Sequence, residues 1–147
     1  MKRESIHIGK KERSMAIFTT LLLILYIGSV LFLCLYSFSG SDMDLSKDFL
    51  GIPMDKVVHF CMFSPFPILF YLFLKFNLRL KGISNRYSIS LSLLAGLFIS
   101  TLFEVSQGLL TTTRTSDATD LMANYSAIIA GTILVMVVKR IRRGRLL

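Results

Sequence analysis

Four apolar stretches, at roughly 15–37, 57–76, 87–110 and 118–138, alternate with short polar segments along the chain. Each approaches the ~20 residues that a helix needs to cross a hydrocarbon layer ~30 Å thick. No water reaches peptide groups inside such a layer, so each stretch must be helical. The pattern predicts an all-α integral membrane protein, a bundle of four transmembrane helices. The polar positions within the last two stretches are ordered. At about 100° per residue, Gly96, Ser100, Glu104 and Gln107 share about 80° of arc, and so do Asp117, Asp120, Asn124, Ala127 and Gly131. Each stripe is small at one end and polar at the other. Small residues let membrane helices approach closely, so the stripes are expected to face each other, closed at the small end and open at the polar end.

The second stretch adds Asp55 and His59, four residues apart and so on one helical face. Pro53 ends the preceding segment, and the helix is expected to start near Asp55. Pro65 and Pro67 then interrupt it. Neither has an N–H, so the carbonyls of Cys61 and Phe63 lose their helical partners and a kink is expected. The first stretch has no Asp, Glu, Lys, Arg or His between Ser14 and Ser41 and is read as packing and anchorage. Its apolar run is longer than a signal-peptide core, and no small-residue cleavage pattern follows Tyr36, so it is read as a retained anchor. Residues 1–13 are polar and read as poorly ordered. The segment around 45–50 is amphipathic and reads as a short interfacial helix.

Composition changes the picture mainly through charge. The net charge of +8 would suit nucleic acid, but its distribution does not. Residues 1–14, 75–86 and 139–145 hold 14 of the 17 Lys and Arg, while the 38–56 and 111–117 loops hold 3. That alternation is the positive-inside pattern of a membrane protein. It puts both termini and the 77–86 loop in the cytoplasm, and 38–56 and 111–117 outside. The chain divides into a basic N-terminus (1–14), a four-helix domain (15–138) and a basic tail (139–147). The lipid bilayer is its first partner, with the basic clusters on anionic headgroups. Seven of the nine carboxylates lie in the outer half. Cys34 and Cys61 lie close enough to the outer boundary for a bridge, but two cysteines make no framework and are read as buried thiols packing as small hydrophobes.

The polar ends of three helices therefore meet at one depth on the outer side, and ionisable groups so near hydrocarbon need a cause. His59 is the natural proton carrier, with Asp55 one turn earlier placed to fix its tautomer. Glu104 lies roughly 9 Å from its helix midpoint, within the apolar layer. It is not at a helix N-terminus, so a cap does not explain it; Arg114, Lys56 or His59 are the candidate counter-charges. Asp117 and Asp120 suit the N-cap and N3 positions of the last helix, and Asp55 suits a cap of the second. Asn124 needs an interhelical hydrogen bond or a ligand. Asp55, His59, Glu104 and Asp120 have the donor types of a metal site, but one His without an HxxxH or CxxC pattern is a weak signal, and metal stays a minority reading. No nucleotide, cofactor or nucleophile-elbow motif is present.

Asp55-Lys56-x-x-His59, Glu104-x-x-Gln107 and Arg114-x-x-Asp117-x-x-Asp120-x-x-x-Asn124, in this order between hydrophobic helices, resemble the VanZ-like family. The resemblance covers roughly residues 15–138. It departs from the family at Ala127, where Gly is frequent, and at Pro65-x-Pro67, which is less typical. The family consists of small bacterial integral membrane proteins and is named after a protein associated with resistance to the glycopeptide teicoplanin. The resemblance implies a cell-envelope membrane protein tied to glycopeptide susceptibility, and it supplies no reaction.

Three functional readings follow. In the first, the outward pocket binds or alters an envelope lipid or lipid-linked cell-wall precursor, with Lys56, Gln107, Arg114, Asp117 and Asn124 as ligand contacts; Lys56 and Arg114 suit a phosphate or carboxylate. In the second, it is an acid/base enzyme on such a lipid, with Asp55 and His59 as base and Glu104 or Asp120 as acid. In the third, the polar groups join helices to each other or to a partner without catalysis.

Overall fold

A computed structural model of the chain describes residues 2–35, 48–49, 51–77, 85–110 and 117–144. Five helices and one small hairpin are present among them: α1 (Lys2–Leu35), β1 (Asp48–Phe49), β2 (Ile52–Pro53), α2 (Met54–Phe63), α3 (Phe66–Asn77), α4 (Asn85–Leu110) and α5 (Ala118–Gly144). Because α2 and α3 are two halves of one rod, the helices give four segments long and apolar enough to cross a membrane, Gly9–Leu35, Met54–Asn77, Arg86–Leu110 and Ala118–Gly144.

Two helix ends differ from expectation. Helix α1 starts at Lys2, so the basic N-terminal segment is helical rather than irregular. Its Lys, Arg and Glu are good helix formers, and extending an existing helix avoids the cost of nucleation. Helix α5 likewise continues through the basic tail to Gly144, with Arg142 and Arg143 in its last turn, where cations complement the helix dipole. In the first loop, the expected interfacial helix around 45–50 lies partly outside the described residues. Asp48–Phe49 instead pair antiparallel with Ile52–Pro53, with Asp48 opposite Pro53 and Phe49 opposite Ile52. Gly51 turns the hairpin at φ +78°, which a residue with a Cβ resists.

The prolines interrupt the helix, as their spacing predicts. Helix α2 ends at Phe63 and α3 begins at Phe66. Ile68 and Leu69 both donate to the Pro65 carbonyl, so the ladder restarts there and bypasses Ser64 O. Ser64 Oγ lies 3.4 Å from Cys61 O, one of the two carbonyls the prolines free, and Tyr26 OH on α1 donates to the neighbouring Met62 O at 2.5 Å. Gly131 on α5 accommodates the break. A Cβ built there would lie 2.4 Å from Ser64 O and 3.3 Å from Pro67 Cδ. Gly96 on α4 lets Ile128 and Phe66 approach to 3.0 Å of where its Cβ would stand. The small stripes thus do bring helices together, but Gly131 faces the α2–α3 break rather than α4, because a protruding backbone carbonyl needs the deepest groove.

The core forms around these close approaches. Phe63, Phe66, Ala127, Ile128, Val30 and Cys34 are buried there, and Phe63 meets Phe103 edge-on at 6.2 Å. Polar ties fasten the remaining helices. Thr101 Oγ1 and Tyr125 OH are 2.7 Å apart between α4 and α5, and Asn77 at the end of α3 donates to Ala16 O and Thr19 Oγ1 on α1. The outer surface carries Phe18, Leu21, Leu25, Leu94, Phe98, Leu109 and Met122, each more than half exposed. An apolar surface of that extent fits hydrocarbon and not water. Cys34 is buried, whereas Cys61 is exposed, and neither forms a disulfide among the described residues. The expectation of two buried cysteines therefore fails at Cys61, which lies on the face of α2 turned away from the bundle.

Candidate functional site

The site is built where the N-terminal ends of α2 and α5 lie beside the C-terminal part of α4. Helix α5 begins at Ala118, so Asp117 is its N-cap. Its carboxylate accepts from the Thr119 amide and the Thr119 hydroxyl, each at 2.8 Å, and its carbonyl accepts from the amides of Asp120 and Leu121. This satisfies donors that every helix start leaves open. Asp120 occupies N3, as the spacing predicts. Asp117, just outside the spans, has its carboxyl held down at about 2 by the Thr119 amide first, then the Thr119 hydroxyl and the Lys56 ammonium.

Glu104 completes this cap from another helix. It is 3 % exposed, and its Oε1 accepts from the Asp117 amide at 2.8 Å. The expectation that no cap explains Glu104 is therefore corrected: it stabilises the start of α5, not of its own helix. Spacing along one helix cannot reveal this contact, since it crosses from α4 to the end of the 111–117 loop.

Lys56 is the hub. Its Nζ lies 2.8 Å from Asp55 Oδ2, 3.1 Å from Asp117 Oδ2 and 2.5 Å from Asp120 Oδ1. An ammonium has three N–H donors, and three carboxylates surround this one. A phosphate could reach Lys56 only by displacing one of them. The second Asp55 oxygen, Oδ1, is buried and has no hydrogen-bond partner among the described residues. Asp55 does not cap α2, whose N-cap is Pro53 without a side-chain hydrogen bond; it lies in the first turn, where a carboxylate complements the dipole.

His59, 5 % exposed, points from α2 to α5. Its Nδ1 lies 3.1 Å from Asn124 Oδ1 and its Nε2 lies 3.7 Å from Asp120 Oδ2. Asn124, not Asp55, is the residue that orients the ring. With the amide oxygen accepting from Nδ1–H, Nε2 is left as the atom that takes or releases a proton, and it faces the Asp120 carboxylate. Asp120 thus bridges the ammonium and the imidazole with its two oxygens.

One family model, VanZ/LLP1, matches residues 7–139. The chain belongs to the VanZ/LLP1 family. It is a multi-pass integral membrane protein of VanZ-like type, as its four apolar helices require. Comparison with curated proteins and with solved structures gave no match.

In this VanZ/LLP1 member, Asp55, Lys56, His59, Glu104, Asp117, Asp120 and Asn124 come together in one connected polar cluster. Gln107 is buried next to it but donates from Nε2 to the Cys34 carbonyl at 3.0 Å, which ties α4 to α1. Arg114 lies outside the described residues. Among the described residues, no group of three or more His, Cys, Asp or Glu is placed to hold a metal ion. Two contributors escape a reading of charged residues alone. Thr119 completes the cap, and its place two residues after an N-cap Asp is a legible signal. The Cys34 carbonyl that receives Gln107 has no side-chain signature.

Proposed function

We propose that this VanZ/LLP1 protein works in the bacterial cytoplasmic membrane, with both termini in the cytoplasm and the carboxylate–histidine cluster at the outer surface. There it binds or alters a lipid-linked envelope component and so changes susceptibility to glycopeptides such as teicoplanin. The single observation that carries this reading is the buried His59 ring, fixed by Asn124 and turned toward Asp120. An oriented imidazole beside a carboxylate at membrane depth is costly and matches proton transfer or ligand binding better than packing. The chemistry of the cluster narrows the ligand. Asp55, Asp117 and Asp120 outnumber Lys56, so the cluster suits a ligand offering hydroxyl or amine donors, such as the sugar and peptide parts of a cell-wall precursor. Arg114, outside the described residues, is the candidate from the sequence for a phosphate on the same ligand.

The test compares teicoplanin susceptibility of cells carrying the intact chain, its deletion, His59→Gln and Glu104→Gln. Gln at 104 keeps an oxygen for the Asp117 amide, so the fold is preserved while the carboxylate is removed. The reading expects the deletion and both variants to shift susceptibility alike. Unchanged susceptibility on deletion would remove the envelope role.

A structural reading has its own support: Lys56, Glu104, Gln107 and Asn124 all have partners within the protein. It expects His59→Gln to lower the melting temperature in step with any loss of phenotype. A stable variant with no phenotype separates the two readings in favour of the first.

A further inference from the structure

The opposite end of the bundle holds a second polar feature that the cluster does not use. A groove of about 390 Å³ lies between α3 and α5. Apolar side chains such as Leu72 and Leu134 form its walls, and Lys75, Lys139 and Arg142 stand around it, with no Asp or Glu in its lining among the described residues. Lys139 is some 19 residues past Asp120 on the same helix, about 28 Å away along the axis.

Lys139 is the informative residue. Among the described residues its buried Nζ has no hydrogen-bond partner, and it sits 4.6 Å from the centroid of the Tyr71 ring. A cation–π contact offsets part of the desolvation of an ammonium but leaves its N–H donors unsatisfied. A buried ammonium without an acceptor is expensive, and an acceptor with negative charge is what would relieve it. Lys75 and Arg142 are exposed at the mouth of the same groove and add two further cations. The walls are lipid-like and the rim is cationic.

We infer that this groove is a binding site for an anionic phospholipid of the leaflet on the basic side, its phosphodiester held by Lys139, Arg142 and Lys75 and one acyl chain lying along Leu72 and Leu134. Charge complementarity selects the headgroup, since three cations and no carboxylate favour net negative charge. The apolar walls select a lipid over a free phosphate, because a soluble anion would leave them unfilled. Arg140 and Arg143 lie on the same helical end without lining the groove, so a general attraction to anionic membrane surfaces does not distinguish them from Arg142, whereas a built site does. The site does not depend on the outer cluster or on the function proposed for it.

The full chain in detergent is titrated with phosphatidylglycerol and, separately, phosphatidylcholine of the same acyl chains, and bound lipid is counted by native mass spectrometry. Phosphatidylcholine carries the same phosphodiester with a compensating cation. The expected result is retention of phosphatidylglycerol at least about 10-fold tighter than phosphatidylcholine. Lys75→Gln with Arg142→Gln, both at exposed positions, should weaken it about 30-fold, at about 5-fold per basic residue. Lys139→Gln should weaken it as well. The charge-matched pair Arg140→Gln with Arg143→Gln should leave it within about 2-fold. Melting in the presence of phosphatidylglycerol should rise for the intact chain and for the Arg140/Arg143 pair, and not for the groove pair. Equal losses in the two double variants would overturn the site in favour of diffuse attraction, and equal binding of the two lipids would overturn the charge selection. Displacement of the lipid by millimolar glycerol phosphate would overturn the commitment to an intact lipid.

Discussion

Replacing Lys56 by Gln removes the only cation in contact with Asp55, Asp117 and Asp120 among the described residues. The magnitude rests mainly on Asp120. The side chains of Lys56 and Asp120 are 18 % and 14 % exposed, so their contact is largely shielded, while Asp55 and Asp117 at 38 % and 44 % are screened by water and contribute little. Breaking a buried pair by removing one partner costs about 3–5 kcal/mol, and partial exposure points to the lower end, about 3 kcal/mol. For a chain of this length that corresponds to a fall in melting temperature of about 6–12 °C. The protein has no Trp, but its thiols offer a probe. In a Cys61→Ser background only the buried Cys34 remains, and a thiol-reactive dye then reports unfolding. Lys56→Gln combined with Asp120→Asn should cost less than the sum of the two single changes by about 1–2 kcal/mol, because the double variant no longer strands a buried carboxylate. Two changes that add, or a Lys56→Gln protein that melts like the parent, would refute the argument that this lysine holds the carboxylates together.

Gly131→Ala should destabilise by about 1–3 kcal/mol in the same assay, since its Cβ would overlap Ser64 O and backbone cannot swing away as a side chain can; a parent-like melt would mean that the α2–α3 break is free to move. Asn124→Ala should cost about 1 kcal/mol by leaving His59 Nδ1–H without its acceptor, and Asn124→Asp should lose less, which a paired melting comparison checks. Asp117 should titrate near 2 by carboxyl carbon resonance. Its folded value lies below the unfolded one, so its stabilising contribution is complete above about pH 4 and is lost as the pH falls toward 2. Thr119→Ala should move that titration upward, and an Asp117 that titrates near 4 in the parent would show that the cap is not formed.

The chain alone determined the class of fold, because apolar length and hydrocarbon thickness leave few solutions. Four stretches long enough to cross had to be helices, and the stripes on α4 and α5 had to bury their polar ends. The N-cap at Asp117 and the N3 place of Asp120 were equally legible, since capping depends on neighbours two and three residues away. The two prolines announced an interruption, though not its depth, because whether a helix bends or breaks depends on what receives the freed carbonyls. Tyr26 donates to the Met62 carbonyl and Gly131 leaves room for the Ser64 carbonyl, and both lie on other helices. The same reason hides the pairings within the site. That Asn124 rather than Asp55 orients His59, that Glu104 caps a helix it does not belong to, and that Lys56 gathers three carboxylates are all contacts between segments. Helical periodicity places each residue on a face, but only the packing of α2, α4 and α5 decides which face meets which, because hydrogen bonds and ion pairs are fixed by distances of a few ångströms that no spacing along one helix contains.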